Sequence, residues 1–154
     1  MNDALFQRLI AAYGAAIGIL DPIRIKFYTE RGLTMPQMRV LFMLAERPGA
    51  SAGELADELQ VAPPTVTGMT DRLHRQGLIV RGVDPSDRRL VRLSLSDEGL
   101  RLTTEVAEMS KATLRQVFER MPDERLGLLT ELLEELTQHG PLTFWSKEVA
   151  PSKA

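Results

Sequence analysis

A mainly α fold carrying one small β-hairpin is what this 154-residue sequence predicts, and three observations carry that reading. Apolar residues recur at three- and four-residue steps over most of the chain, the helical period. Two central stretches, Thr34-Met35-Pro36-Gln37 and Ser51-Ala52-Gly53-Glu54, are capping boxes that open helices. Between Leu78 and Leu95 the period falls to two, and the alternating runs flank Asp84-Pro85-Ser86-Asp87, a cluster of turn-forming residues.

The elements follow in order. Residues 2–20 predict a helix with Leu5, Leu9, Ala12, Ala16 and Leu20 on one stripe. Pro22 lacks a backbone donor, so a kink or a break is expected at Asp21-Pro22, and a second helical piece runs to about Arg31, ended by Gly32. The first capping box starts a helix with Met38, Leu41, Phe42, Leu44 and Ala45 inside, stopped by Pro48-Gly49. The second starts a short helix that buries Leu55, Ala56 and Leu59. After a turn at Gln60-Val61-Ala62, Pro63-Pro64 opens a helix over 63–77. The two arms of the hairpin come next. Ser96 caps a long helix from about Asp97 to Arg120, apolar at Leu102, Val106, Met109 and Val117, and Met121-Pro122-Asp123 breaks it. The last helix carries Leu126, Leu129, Leu133 and Leu136 in a three-four-three seam and ends at Gly140-Pro141.

Helix, turn, helix and hairpin in this order describe a winged helix over residues 34–96. The flanking segments 1–33 and 97–154 are helices with apolar stripes that lack an intrachain cover of sufficient size. Leu5, Leu9, Leu126, Leu129, Leu133 and Leu136 are the expected contacts of a homodimer.

Composition narrows the chemistry. Without cysteine there is no disulfide framework, thiolate zinc site or thiol switch, in keeping with a cytoplasmic location. No apolar run nears 18 residues and no signal-peptide pattern opens the chain, so no membrane association is expected. His74 and His139 have no further ligands at metal-binding spacing, and no nucleotide-binding glycine loop or paired acid and base suggests an enzyme. No cofactor is expected. The net charge of −2 hides a local excess: Arg72, Arg75, Arg81, Arg88, Arg89 and Arg92 face only Asp84 and Asp87 within residues 72–92, a balance of +4. Phosphate attraction is local, acting over a Debye length of about 8–10 Å.

On the 63–77 helix, Val66, Met69, Thr70, Leu73 and Gly77 form one side, which docks on the preceding helix. Pro64, Gly68, Asp71, Arg72 and Arg75 form the other, with Thr65 and Thr67 on its flanks. A face that is small at its start and basic at its end suits a helix entering the major groove. The threonines offer hydroxyls to phosphates or base edges and methyls to thymine, Gly68 permits close approach, and Arg72 and Arg75 offer clamps to backbone or guanine. Arg72 has the alternative of pairing with Asp71 or with an acid on a neighbouring helix. The wing, 84–92, supplies Arg88 or Arg89 to the minor groove. Asp87 is read as a brace for the arginine beside it, and Asp84 as turn chemistry.

With these residues in view, the chain resembles the MarR family of bacterial transcription regulators over residues 34–99. The matching residues are Thr34 with Gln37 and Leu41, Glu54-Leu55-Ala56 with Leu59, the run Pro63 to Met69 with Asp71-Arg72-Leu73, Gly77-Leu78-Ile79, the wing Asp84-Pro85-Ser86-Asp87-Arg88-Arg89, and Leu93 to Ser96 with Gly99. The resemblance implies a homodimer with intertwined terminal helices that binds a pseudo-palindromic operator in double-stranded DNA. It also implies a repressor released by a small aromatic or phenolic ligand. It carries DNA contact onto Thr65, Thr67, Gly68, Arg72, Asp87 and Arg88. Ala62 and Pro64 stand where the family commonly has serine, and Gly68 where it often has arginine. Tyr13, Ile17, Tyr28, Met38 and Phe42 are the candidate ligand pocket, and plain core is the competing reading for each. A winged-helix module for protein–protein contact is the competing function, disfavoured by the basic excess on helix and wing.

Overall fold

Start signals in the sequence set where the helices of this chain begin. The computed structural model describes residues 2–138 apart from Pro85 and Arg88, and these form seven helices and a two-stranded sheet. They fall into two units, Met1–Leu114 and Arg115–Ala154.

In the first unit, α1 spans Asp3–Gly18, with the Asn2 side chain accepting from the Ala4 N–H at 3.0 Å. The sequence places the interruption at Asp21-Pro22, but the break comes two residues earlier. α2 is Asp21–Arg31, with Pro22 in its first turn, and its axis is bent 45° from that of α1. Proline has no N–H to lose there and its φ suits a helix start, so it opens α2 rather than cutting α1. Gly32 closes α2 at φ +61, its N–H on the Tyr28 carbonyl at 2.9 Å.

α3, Met35–Glu46, starts on the first capping box, where Gln37 Oε1 accepts from the Thr34 N–H at 2.9 Å. Gln37, Met38, Val40, Leu41, Met43 and Leu44 are all buried, whereas Ala45, expected inside, is exposed and Phe42 is half-buried. A helix covered round most of its girth occupies the centre of a domain, and a single-stripe reading underestimates it. α4, Ala52–Leu59, has the reciprocal Ser51–Glu54 bonds at 2.6 and 3.2 Å and buries Leu55 and Ala56, with Leu59 half-buried. α5 is Pro63–Arg75, shorter than the expected 63–77. Gln76 is its cap and Gly77 is exposed at φ +71, a conformation that costs glycine little, so Gly77 leaves the buried side assigned to it.

β1, Ile79–Val83, pairs antiparallel with β2, Val91–Leu95, Ile79 facing Leu95 and Val83 facing Val91. Ala50 adds a bridge to Leu93 through two backbone bonds, Leu93 N–H to Ala50 O at 3.0 Å and Gly49 N–H to Leu93 O at 2.8 Å. Leu41, Leu44, Leu55, Leu73, Ile79 and Leu102 meet in one core, so the hairpin and three-helix unit are a single packed winged helix. α6, Asp97–Phe118, starts where Ser96 Oγ accepts from the Gly99 N–H at 3.0 Å and donates to the Gly77 carbonyl at 2.5 Å. A Cβ on Gly99 would fall inside the van der Waals envelope of the Leu78 carbonyl oxygen.

α6 ends at Phe118 instead of near Arg120. In the second unit α7, Asp123–Gln138, follows Pro122 and holds no buried residue among the described side chains. The expected stop at Gly140-Pro141 lies outside the described residues. No single helix among the described residues is long and apolar enough to cross a membrane.

Candidate nucleic-acid interface

α5 presents two chemically distinct faces. Val66, Thr70 and Leu73 are buried against the core, and Met69 is half-buried. Pro64, Thr65, Thr67, Gly68, Arg72 and Arg75 are exposed. The start of α5 is unusual in having no side-chain cap, since Ala62 stands at that position. The two prolines explain why none is needed. Pro63 and Pro64 carry no N–H, and the next donor, Thr65 N–H, is taken by the Ala62 carbonyl at 2.9 Å. The sequence flagged Ala62 and Pro64 as separate departures from the family pattern; they are one compensated change.

The cations separate into paired and unpaired. Arg81 binds the Asp71 carboxylate, which ties β1 to α5. Arg92 Nε binds Asp84 at 2.7 Å, and its Nη1 reaches Glu54 at 3.1 Å and the Gly49 carbonyl at 3.3 Å. Arg72, Arg75 and Arg89 carry no ion pair among the described residues. Arg72 meets neither Asp71 nor another acid: its Nη2 donates to the Gly32 carbonyl at 3.3 Å, and Gln76 Nε2 donates to the neighbouring Arg31 carbonyl at 3.3 Å. Two side chains from the end of α5 are thus latched to the last turn of α2. Among the described residues Arg75 donates to the Asp71 carbonyl of its own helix, at 3.4 Å.

In the wing, Asp84 does more than shape the turn expected of it. Its carboxylate is buried and accepts from Ser86 Oγ at 2.5 Å, Arg92 Nε at 2.7 Å, Ser86 N–H at 2.8 Å and Asp87 N–H at 3.1 Å. The Ser86 hydroxyl first, then Arg92 and the two amides, hold its carboxyl far below the usual carboxylate range. Glu54 is also held below its ordinary value, mainly by the Ser51 amide and hydroxyl, with Arg92 contributing less. Arg92 therefore fastens the wing to the start of α4, a role that the local charge count could not distinguish from DNA contact. Asp87 braces backbone: its Oδ1 accepts from the Arg89 N–H at 2.9 Å. Arg89 is exposed, and Arg88 lies outside the described residues.

A cavity of about 600 Å³ opens between α2, α3 and α6, lined by Ile23, Phe27, Tyr28, Met38, Phe42 and Val106 among others, with Arg24 and Arg39 also contributing. Tyr28, Met38 and Phe42 of the expected pocket are on its wall. Tyr13 and Ile17 are not: they sit on α1, 54% and 43% exposed, because α1 ends before the bend. Leu5 and Leu9 of α1 and Leu133 and Leu136 of α7 are likewise exposed, while Leu126 and Leu129 are half-buried. His74 Nδ1 lies 3.0 Å from the Ile79 carbonyl, His139 is outside the described residues, and no cluster of three metal-ligating side chains occurs among those described.

The sequence profile of the MarR family matches residues 33–91. The homoprotocatechuate degradative operon repressor of Escherichia coli is 31% identical over 140 residues, which cover 91% of this chain and 92% of that protein. The transcriptional repressor MdtR of Bacillus subtilis is 29% identical over 88% of each chain. The solved structure of a MarR family protein from Bacillus stearothermophilus superposes with a TM-score of 0.77 at 29% identity, covering 90% of this chain and 97% of that one.

Proposed function

We propose that this chain, which belongs to the MarR family of transcription regulators, acts as a homodimeric repressor that binds a pseudo-palindromic operator and is released by a small aromatic or phenolic ligand. The observation that carries the reading is the exposed face of α5, where Thr65, Thr67 and Gly68 precede Arg72 and Arg75, and no acid among the described residues pairs with either arginine. α5 lies in the major groove, and the wing brings Arg88 and Arg89 to the minor groove. Asp84, Arg92 and Asp87 hold the wing in place for that contact.

The dimer is supported by the leucines that α1 and α7 leave uncovered. Two copies give two recognition helices, and hence two half-sites about one DNA turn, roughly 34–36 Å, apart. The effector is supported by the apolar cavity beside Tyr28, Met38 and Phe42, and by the E. coli relative, whose name ties it to an operon for degrading an aromatic acid.

Gel-shift titration of sequences selected from a random DNA pool tests the reading. Affinity should fall with salt at a log–log slope of about −0.9 per phosphate neutralised. Arg88→Ala should weaken binding by about 1–3 kcal/mol with the dimer intact. Failure to enrich any duplex sequence would sink the regulator reading in favour of a protein-binding module.

A further inference from the structure

The three threonines of α5 are bonded in three different ways. Thr70 is buried, with its hydroxyl on the Thr67 carbonyl at 3.0 Å, and is part of the packing. Thr65 is exposed, and its hydroxyl makes no hydrogen bond among the described residues. Thr67 is exposed too, but its Oγ1 turns back along the helix and donates to the Pro63 carbonyl at 3.1 Å. A hydroxyl has one proton, and that of Thr67 is already committed. What the exposed side chain can still offer a ligand is its γ-methyl and an accepting oxygen, but not that proton.

The surroundings of Thr67 suit a methyl contact. Gly68 follows it, with nothing within 4 Å of where a Cβ would stand, so no neighbouring side chain holds the helix off a surface there. Pro64, one turn back, is exposed and has no polar side chain. With α5 in the major groove, the reading on which this inference rests, the small face approaches the groove floor closely. The only base that displays a methyl group there is thymine.

We infer that Thr67 is a specificity-determining residue that reads a thymine C5-methyl through its own γ-methyl, while Thr65 supplies a hydroxyl donor at the helix start. Pro63 makes both roles possible. Its carbonyl takes the Thr67 proton, and the two prolines remove the helix-start amides that would otherwise meet a phosphate.

The test uses the full chain and a duplex selected from a random pool. Each thymine of one half-site is replaced singly by uracil, which lacks only the C5-methyl. One position should lose about fourfold in affinity with the wild-type protein, the worth of one buried methyl group. Thr67→Val, which keeps the methyl and lacks the hydroxyl, should bind the thymine site as tightly and lose as much on uracil. Thr67→Ser should bind more weakly and be indifferent to uracil at that position. The inference is overturned if Thr67→Ser retains the same uracil penalty, if Thr67→Val loses binding that Thr67→Ser keeps, or if no thymine in an enriched site is methyl-sensitive. A pool that yields no enriched sequence instead overturns the reading of α5 as a major-groove helix.

Discussion

The central winged helix and the terminal helices α1 and α7 draw on the same residue types and end in opposite states. Leu41, Leu44, Leu55 and Leu73 are fully covered, each by neighbours from the same chain. Leu5 and Leu9 of α1 are each 58% exposed, and α1 and α7 contain no buried residue among the described side chains. Both regions show apolar residues at helical spacing. The difference teaches that periodicity reports an apolar stripe and is silent about which chain covers it. Exposed stripes of this kind mark an interaction surface, which the proposed dimer uses.

Substitutions that treat the two regions differently test that contrast. The largest effect is expected at Gly99, where α6 crosses the hairpin. Gly99→Val should destabilise the fold by about 4 kcal/mol or more, because backbone rather than a movable side chain stands where the new atoms would go. Denaturant unfolding measures it, and a loss under about 1 kcal/mol would mean that the crossing yields easily. Next comes Leu41→Ala, expected to cost about 3 kcal/mol by emptying a filled site. Leu9→Ala, the same change on α1, should alter unfolding at low protein concentration by no more than about 0.5 kcal/mol. Equal losses at both positions would erase the distinction.

Leu133→Glu should act in the reverse sense. It should weaken association by about 2 kcal/mol, read by sedimentation, and leave the helix content of the separated chain unchanged. A dimer of unaltered affinity would remove α7 from the shared surface.

The smallest effect concerns acid. Folding depresses the Asp84 pKa, so its contribution to stability is complete above the ordinary value of 3.8 and is lost as pH falls from there through the folded value. Protection of the β1 and β2 amides against exchange, relative to the intrinsic rate at each pH, should therefore fall below about pH 4. In Asp84→Asn, that protection should be lower near neutral pH and lose most of its acid dependence. A wild-type wing indifferent to acid would separate Asp84 from wing stability.

Much of the site was legible because its signals are local. The exposure of Thr65, Thr67, Gly68, Arg72 and Arg75 follows from helical spacing on one element. The capping boxes at Thr34 and Ser51 are bonds between residues three apart, and they stand as read. The ends of helices were less legible, as with Gly77 and the bend at Ile19-Leu20, because several adjacent residues compete to stop a helix. Arg81 and Arg92 entered the local charge balance, which could not show that they are held by Asp71, 10 residues away, and by Asp84 and Glu54, 8 and 38 residues away.

The sequence by itself determined the class of the domain, the order of its elements and the face of α5 that stays outside, since each depends on periodicity and caps within a few residues. Tertiary structure alone decided which arginines are spent on the fold, that Arg72 rests on the corner of α2, and that Tyr28 and Phe42 border a cavity while Tyr13 does not. Those facts depend on which distant groups meet. A hydrogen bond or an ion pair acts over a few ångströms of space, whatever the separation along the chain.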